Sequence, residues 1–480
     1  MILVAISMIA IIAMAALSID VITLYLAKLE AQRSADAAAL AAAKIIALSG
    51  ITGDPSNGTS NWGAICGGST SAATVTALAV AQQNSIGTIA VPTASVTVTY
   101  SAGSGGAITQ NTDCTTLGGG LTAFGVNPMV TVQLTRANLP NFFSRIWGNA
   151  GTNISASATA EAFNPSDSGN SGNQTTGTLT PVQPRCVKPW IVPNLDPLNP
   201  GSTCTTNCTP FVDTSSGSIK HQGISLSGGP APNTGVIGET FWLMPDCRHS
   251  NPNGCSFRGG GPGVQPQANY PKGSDIFLES TPNLFYVPGQ VGTTTVMAIP
   301  SCTSGDPYEE AIEGCDQPTN YSCGVPNANV ADLTRNPAGT TSAGVQCLTH
   351  QGDLTNLTES SGQDYFNSFA APSTYPFQIY AGSSNPLVAS ASLAAGSQIT
   401  VSPSIVSLPI YDNTTNLTEG VANNVTFVGF LQVFINAADT NGNVNVTVLN
   451  VAGCSNGSSN PVGNPVISNS PVPVRLITPP

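Results

Sequence analysis

The residues able to do chemistry are few and badly spaced for it. His221, His249 and His350 are the only histidines, and no two stand at the i, i+4 interval through which an HExxH helix holds zinc, so each reads as a loop residue. Ser225, in GISLS, lacks the closing glycine of a nucleophile elbow and does not stand between an evident strand and helix. Asp213 opens DTSSG, one residue short of a DxSxS cation pattern, because Gly217 occupies the last serine position. Asp439 opens DTNGNVN, but glycine falls at the fourth position and Asn450 stands where a calcium loop needs its bidentate glutamate. A hairpin turn accounts for that string. Glu309, Glu310 and Glu313 can share a helical face, and an acidic turn beside Cys315 is a commoner meaning than an acid/base pair. The expectation is a protein that is not an enzyme, with no catalytic residue, metal or cofactor.

The remaining reactive groups are thiols. Twelve cysteines run from Cys66 to Cys454 through Gly/Pro-rich sequence, without paired CxxC motifs. That pattern predicts disulfides made in an oxidising compartment. Cys66 and Cys114 are the two cysteines of residues 51–164 and are expected to pair. Among the other ten, the short spacings point to Cys247 with Cys255 and Cys315 with Cys323.

The elements that carry these residues follow from composition. Only 8% of the 480 residues are charged, so the surface must be wetted by Ser, Thr and Asn. The 49 glycines and 37 prolines favour turns and strands over long helices, while 41% hydrophobic residues suffice for a sizeable core. A net charge of −12 with scattered basic residues leaves no phosphate-neutralising surface, which excludes nucleic acid as a natural partner. Eleven Asn-x-Ser/Thr sequons, Asn153 and Asn445 among them, follow from the Asn- and Thr-rich composition.

The N-terminus departs from all of this. Residues 2–19 carry no charge and continue through Asp20 into VITLYLA, about 26 residues of near-unbroken apolarity. This predicts one membrane span. It runs on without a break into LAKLEAQRSADAAALAAAKIIALSG, rich in helix formers and stopped at Gly50, so span and stalk form one rod roughly 72 Å long. Ala31, Ala35, Ala38 and Ala42 recur at helical spacing and would let a helix or sheet approach closely.

SIDVITLYLAKLEAQRSADAAALAAA, with Asp20, Tyr25, Gln32 and then Ser34 to Leu40, resembles the N-terminal segment of Tad/Flp pilus-assembly proteins of the TadE/TadG-like kind. The likeness covers about the first 50 residues. It implies a helix that inserts and packs during assembly, with Asp20, Tyr25, Gln32, Ala35 and Asp36 as its assembly residues. Asp20, an acid at the edge of an apolar helix, could pair with a neighbouring subunit's cation. Lys28, Arg33 and Lys44 all follow the span, but the cysteines and the Asn/Ser/Thr-rich body favour an exported C-terminus.

Beyond Gly50, residues 51–164 read as a small α/β domain of pilin-like character. It has a helix over 71–85, strands over 94–100 and 129–135, a short amphipathic helix between Arg136 and Gly148, and a returning strand in NISASATAEAF. Residues 165–184 are a linker or long loop. Residues 185–480 form a β-rich exported domain, in which NVTFVGFLQVFI reads as a central strand and Asn441-Gly442 as a hairpin turn. The expected class is therefore α+β: a long transmembrane helix and stalk (1–50), the α/β unit, and a large disulfide-braced β-rich domain. The corresponding function is a non-enzymatic, single-pass inner-membrane protein with a periplasmic or extracellular body. Its partners would be the membrane, other pilus-assembly or envelope proteins and other copies of itself. The alternative is a surface-anchored adhesin or carbohydrate-binding protein.

Overall fold

The computed structural model describes residues 2–50, 52, 59–102, 110–117, 124–125, 128–141, 143, 145, 148, 151–162, 182–184, 186–198, 209–214, 217–221, 223–225, 235–245, 276–278, 282–292, 296–297, 305–316, 321–335, 337–350, 362–366, 377–399, 401–412, 417–418, 420–454, 466–468 and 470–477. The chain forms two units, one comprising 1–46, 58–162 and 474–480, the other 47–57 and 163–473.

The first unit is built on the helix α1 (Ile2–Leu48), 47 residues without a proline or glycine, as the sequence predicts. Two short helices follow, α2 (Thr59–Cys66) and α3 (Ala72–Gln82). Three strands, β1 (Val96–Ala102), β2 (Pro128–Pro140) and β3 (Gly151–Ala162), form an antiparallel meander. A fourth strand, Val474–Ile477, adds antiparallel to the outer side of β3, with the Arg475 guanidinium donating to the Glu161 carboxylate at 3.0 Å. That pairing joins the extreme C-terminus to this sheet across more than 300 residues, and no local pattern announces it.

The expected helix between Arg136 and Gly148 is corrected over its first residues; further on, Arg145 lies in a 3-10 turn whose carbonyl accepts from the Gly148 N–H at 3.0 Å, and residues 142, 144, 146 and 147 lie outside the described ones. β2 instead runs on to Pro140, with Leu139 opposite Thr152 and Pro140 opposite Gly151 beyond a bulge after Arg136. Asn138 absorbs the bulge by taking a positive φ of 55°, and its N–H donates to the Asn153 side chain at 2.9 Å. Cross-strand pairing outweighs a weak amphipathic period. Pro140 costs the ladder nothing because it ends the strand.

In the second unit, six strands close on themselves: β4 (Trp190–Pro193), β5 (Thr240–Pro245), β6 (Pro282–Pro288), β7 (Ile405–Tyr411), β8 (Phe427–Ala438) and β9 (Val444–Gly453). Their order is β4-β7-β8-β9-β5-β6, and the ring closes where Val287 and Pro288 pair with Ile191 and Trp190. Every residue of β8 and β9 is buried; β8 reads accordingly as a near-continuous apolar run, whereas β9 alternates Val with Asn and Thr, and its buried Asn445 and Thr447 accept from the Asn436 side chain at 2.9 Å each. Trp190, Phe241, Leu243, Tyr286, Leu408, Leu431 and Val446 belong to the common core. The helices α4 (Pro307–Glu313) and α5 (Ala338–Thr349) contribute Tyr308, Ile312, Val345 and Leu348 to the same cluster.

The β8–β9 hairpin turns through Asn441-Gly442. Gly442 has φ +81°, and a Cβ there would lie 2.6 Å from the Ala338 carbonyl oxygen, so conformation and space both demand glycine. Asp439 Oδ1 accepts from the backbone N–H groups of Asn441 and Asn443 at 2.8 and 3.0 Å. Its carboxylate therefore braces the turn.

Disulfides join Cys66 to Cys114 in the first unit and Cys323 to Cys454 in the second, and Cys186 and Cys347 are also oxidised. Cys323 therefore does not pair with Cys315, a further correction. Cys323 bridges to Phe427 at the start of β8, while the Cys454 N–H donates to the Val428 carbonyl at 2.8 Å. The sheet thus brings the end of β9 beside Cys323, whereas Cys315 is drawn into a two-residue ladder with Met297. Cys247 and Cys255 lie outside the described residues.

Candidate functional site

The site residues suggested by sequence lie on α1, and the helix has two distinct parts. From Leu3 to Leu26 it presents large apolar side chains outward: Leu3, Ile6, Ile11, Ile12, Leu17, Val21, Ile22 and Leu26 are all more than half exposed. Among the described residues it is the one helix long and apolar enough to cross a membrane. From Ala27 onward one face closes. Ala27, Ala31, Ala35, Ala38, Ala39, Ala42 and Ala43 are almost wholly buried, each methyl removed from water worth roughly 0.8 kcal/mol. The small-residue stripe is thus already covered within the chain.

Polar side chains set the register of the helix against its unit. Lys28 Nζ donates to the Ser155 carbonyl, and Gln32 Nε2 donates to the Ser157 carbonyl at 3.0 Å and to Asp36 Oδ1 at 2.8 Å. Ser34 Oγ reaches the Ala81 carbonyl of α3 at 3.3 Å, and the Gly87 N–H donates to Glu30 at 2.7 Å. Asp20 is 3% exposed, and the Phe143 N–H lies 3.2 and 3.1 Å from its two carboxylate oxygens. A carboxylate away from water needs such donors, so this contact holds the residues after β2 against the helix. Of the five proposed assembly residues, Asp20, Gln32, Ala35 and Asp36 are engaged within the unit, while Tyr25 is 64% exposed.

The residues set aside as chemistry resolve into structural contacts. Ser225 Oγ donates to the Gly235 carbonyl at 2.7 Å. His221 Nδ1 lies 3.2 Å from Asp196, Asp213 pairs with Lys220, and His350 caps α5 in a left-handed conformation. His249 lies outside the described residues. Asp364 is buried between Ser402 and Asn385, and burial holds its carboxyl above the usual range against the hydrogen bonds that oppose it. Among the described residues no three His, Cys, Asp or Glu side chains gather as metal ligands.

One buried group had no signal in the sequence. Lys188 is 3% exposed and donates to the Ile312 and Gly314 carbonyls at 2.6 Å each and to Ala311 at 3.4 Å, closing the C-terminal end of α4. Burial lowers its pKa to about 7, opposed by the charge of Glu313. Glu313 is raised to about 7 by burial and then by Glu309 and Glu310, and its Oε2 accepts no hydrogen bond among the described residues. A lone lysine preceding Pro-Trp gives no hint of this, because its partners are main-chain atoms more than 120 residues away.

Compared with known proteins, residues 1–44 match the family described as putative Flp pilus-assembly TadE/G-like. The matched segment is the apolar span and the greater part of the alanine face. No curated protein and no solved structure matches the chain.

Proposed function

We propose that the protein is a non-enzymatic, TadG-like component of Flp pilus assembly. It is held in the inner membrane by α1 and carries an exported body on the periplasmic or extracellular side. The observation that carries this reading is the coincidence of the matched segment with a helix that presents large apolar side chains outward between Leu3 and Leu26 and has a closed alanine face from Ala27 onward. An anchor that is rigidly continuous with its unit suits a part that transmits position, and disulfides in both units suit a body folded after export. Partners would be other pilus-assembly or envelope proteins, met through the exposed side of α1 and the unmatched body.

The test is a fusion and a pull-down. Alkaline phosphatase joined after Gly50 should be active, and the full chain should co-purify with other components of a Flp pilus-assembly system. An inactive fusion would refute the topology. A purified body that turns over a glycan or peptide would refute the non-enzymatic assignment.

A further inference from the structure

Three contacts place the first unit on a depth scale along α1. Ser157 sits at Gln32, Ser155 at Lys28, and Phe143 at Asp20, so β3 and Phe143 before it lie beside the helix, with Phe143 toward its N-terminal part. Lys28 is the first cation after the apolar span. Asp20 lies eight residues before it, about 12 Å down the axis at 1.5 Å per residue. At that level the rest of the helix is apolar and exposed: Ile19, Val21, Ile22, Tyr25 and Leu26 are 47 to 64% exposed. Coverage extends further, because Ala16, one turn deeper, is 8% exposed while Met14 and Leu17 remain open.

Phe143, between the two strands, is thus held at a depth where the helix is clothed for lipid. The strands are tied nearby by reciprocal hydrogen bonds between Asn141 and Thr152 at 3.1 and 3.2 Å. Arg145 is exposed. We propose that Phe143 and Arg145, between β2 and β3, rest in the headgroup–acyl boundary of the bilayer as a second membrane contact, tethered there by Asp20. The inference depends on reading α1 as a membrane anchor. The partner is a phospholipid surface: a guanidinium can reach lipid phosphates from that boundary, while the buried carboxylate of Asp20 is satisfied by the hairpin's main chain and needs no water. Two contacts fix the tilt and rotation of the unit on the membrane, which one helix alone does not.

The experiment uses the full, oxidised chain in nanodiscs of phosphatidylcholine and phosphatidylglycerol, with a nitroxide on Arg145→Cys, Ile12→Cys or Thr97→Cys. Thr97 is exposed on β1 opposite Gln133, eight residues along β2 from Asn141 and so up to about 26 Å from it. Collision with an aqueous nickel chelate at 145 should be at least about threefold lower than at 97, with oxygen collision higher. In an Asp20→Leu background, nickel access at 145 should rise about twofold or more while the labels at 12 and 97 are unchanged. Equal nickel access at 145 and 97, with 12 protected, would overturn the second contact alone. Open access at 12 would overturn the anchor reading and this inference with it. No change at 145 on Asp20→Leu would refute the tether.

Discussion

Removing the Cys323–Cys454 bond tests the second unit most directly. The bond closes a loop of 131 residues and joins Cys323, bridged to the first residue of β8, with the end of β9, beside the stacked rings of Tyr321 and Phe427. The entropy of closing a loop of that length corresponds to about 5 kcal/mol at 25 °C, against about 4 kcal/mol for the 48-residue separation of Cys66 and Cys114. Replacing both partners by serine leaves no odd thiol to mispair. Guanidinium unfolding of the full chain in detergent, followed by tryptophan fluorescence and circular dichroism, should lower the midpoint of the unit that contains Trp190 and Trp242. The unit that contains Trp62 should be unmoved. The Cys66→Ser/Cys114→Ser pair should do the reverse. If either pair shifts both transitions together, the units are not separately stable. If the Cys323/Cys454 pair costs less than about 1 kcal/mol, the loop-closure argument fails.

Ala35→Leu should destabilise the first unit by about 1–3 kcal/mol in thermal melts, because a wholly buried alanine on the closed face leaves no room for three more carbons, whereas Tyr25→Ala on the open face should change little. Equal effects would mean that the face is not packed. Gly442→Ala should cost about 2 kcal/mol or more through its positive φ and the backbone of α5, measured as a lower guanidinium midpoint. For Glu313, the folded pKa of about 7 exceeds its ordinary 4.5, so the fold binds more protons than the unfolded chain between those values and this group's contribution falls as pH rises through that window. Glu313→Gln should flatten the pH profile of stability from 4.5 to 7, and an unchanged profile would refute the assignment.

What the sequence determined by itself is what depends on neighbours along the chain. The uncharged run from Ile2 to Ile19, the alanines every three or four residues and the stop at Gly50 specify one helix, because helical contacts are made within four residues. The Asn441-Gly442 turn is equally local. The alternation of Val with Thr or Gln in β1 and β2 was legible because one strand face is enough to create it. The tertiary structure alone decided the rest. A sheet rewards pairing regardless of separation, so Val474–Ile477 returns to β3, β2 extends through Pro140, and Cys323 finds Cys454 instead of Cys315. Asp20 shows the limit most clearly. Its place at the edge of an apolar run suggested a charge offered to another subunit, yet the fold buries it against the Phe143 N–H, 123 residues away, because an ion removed from water takes the nearest donor that the backbone supplies.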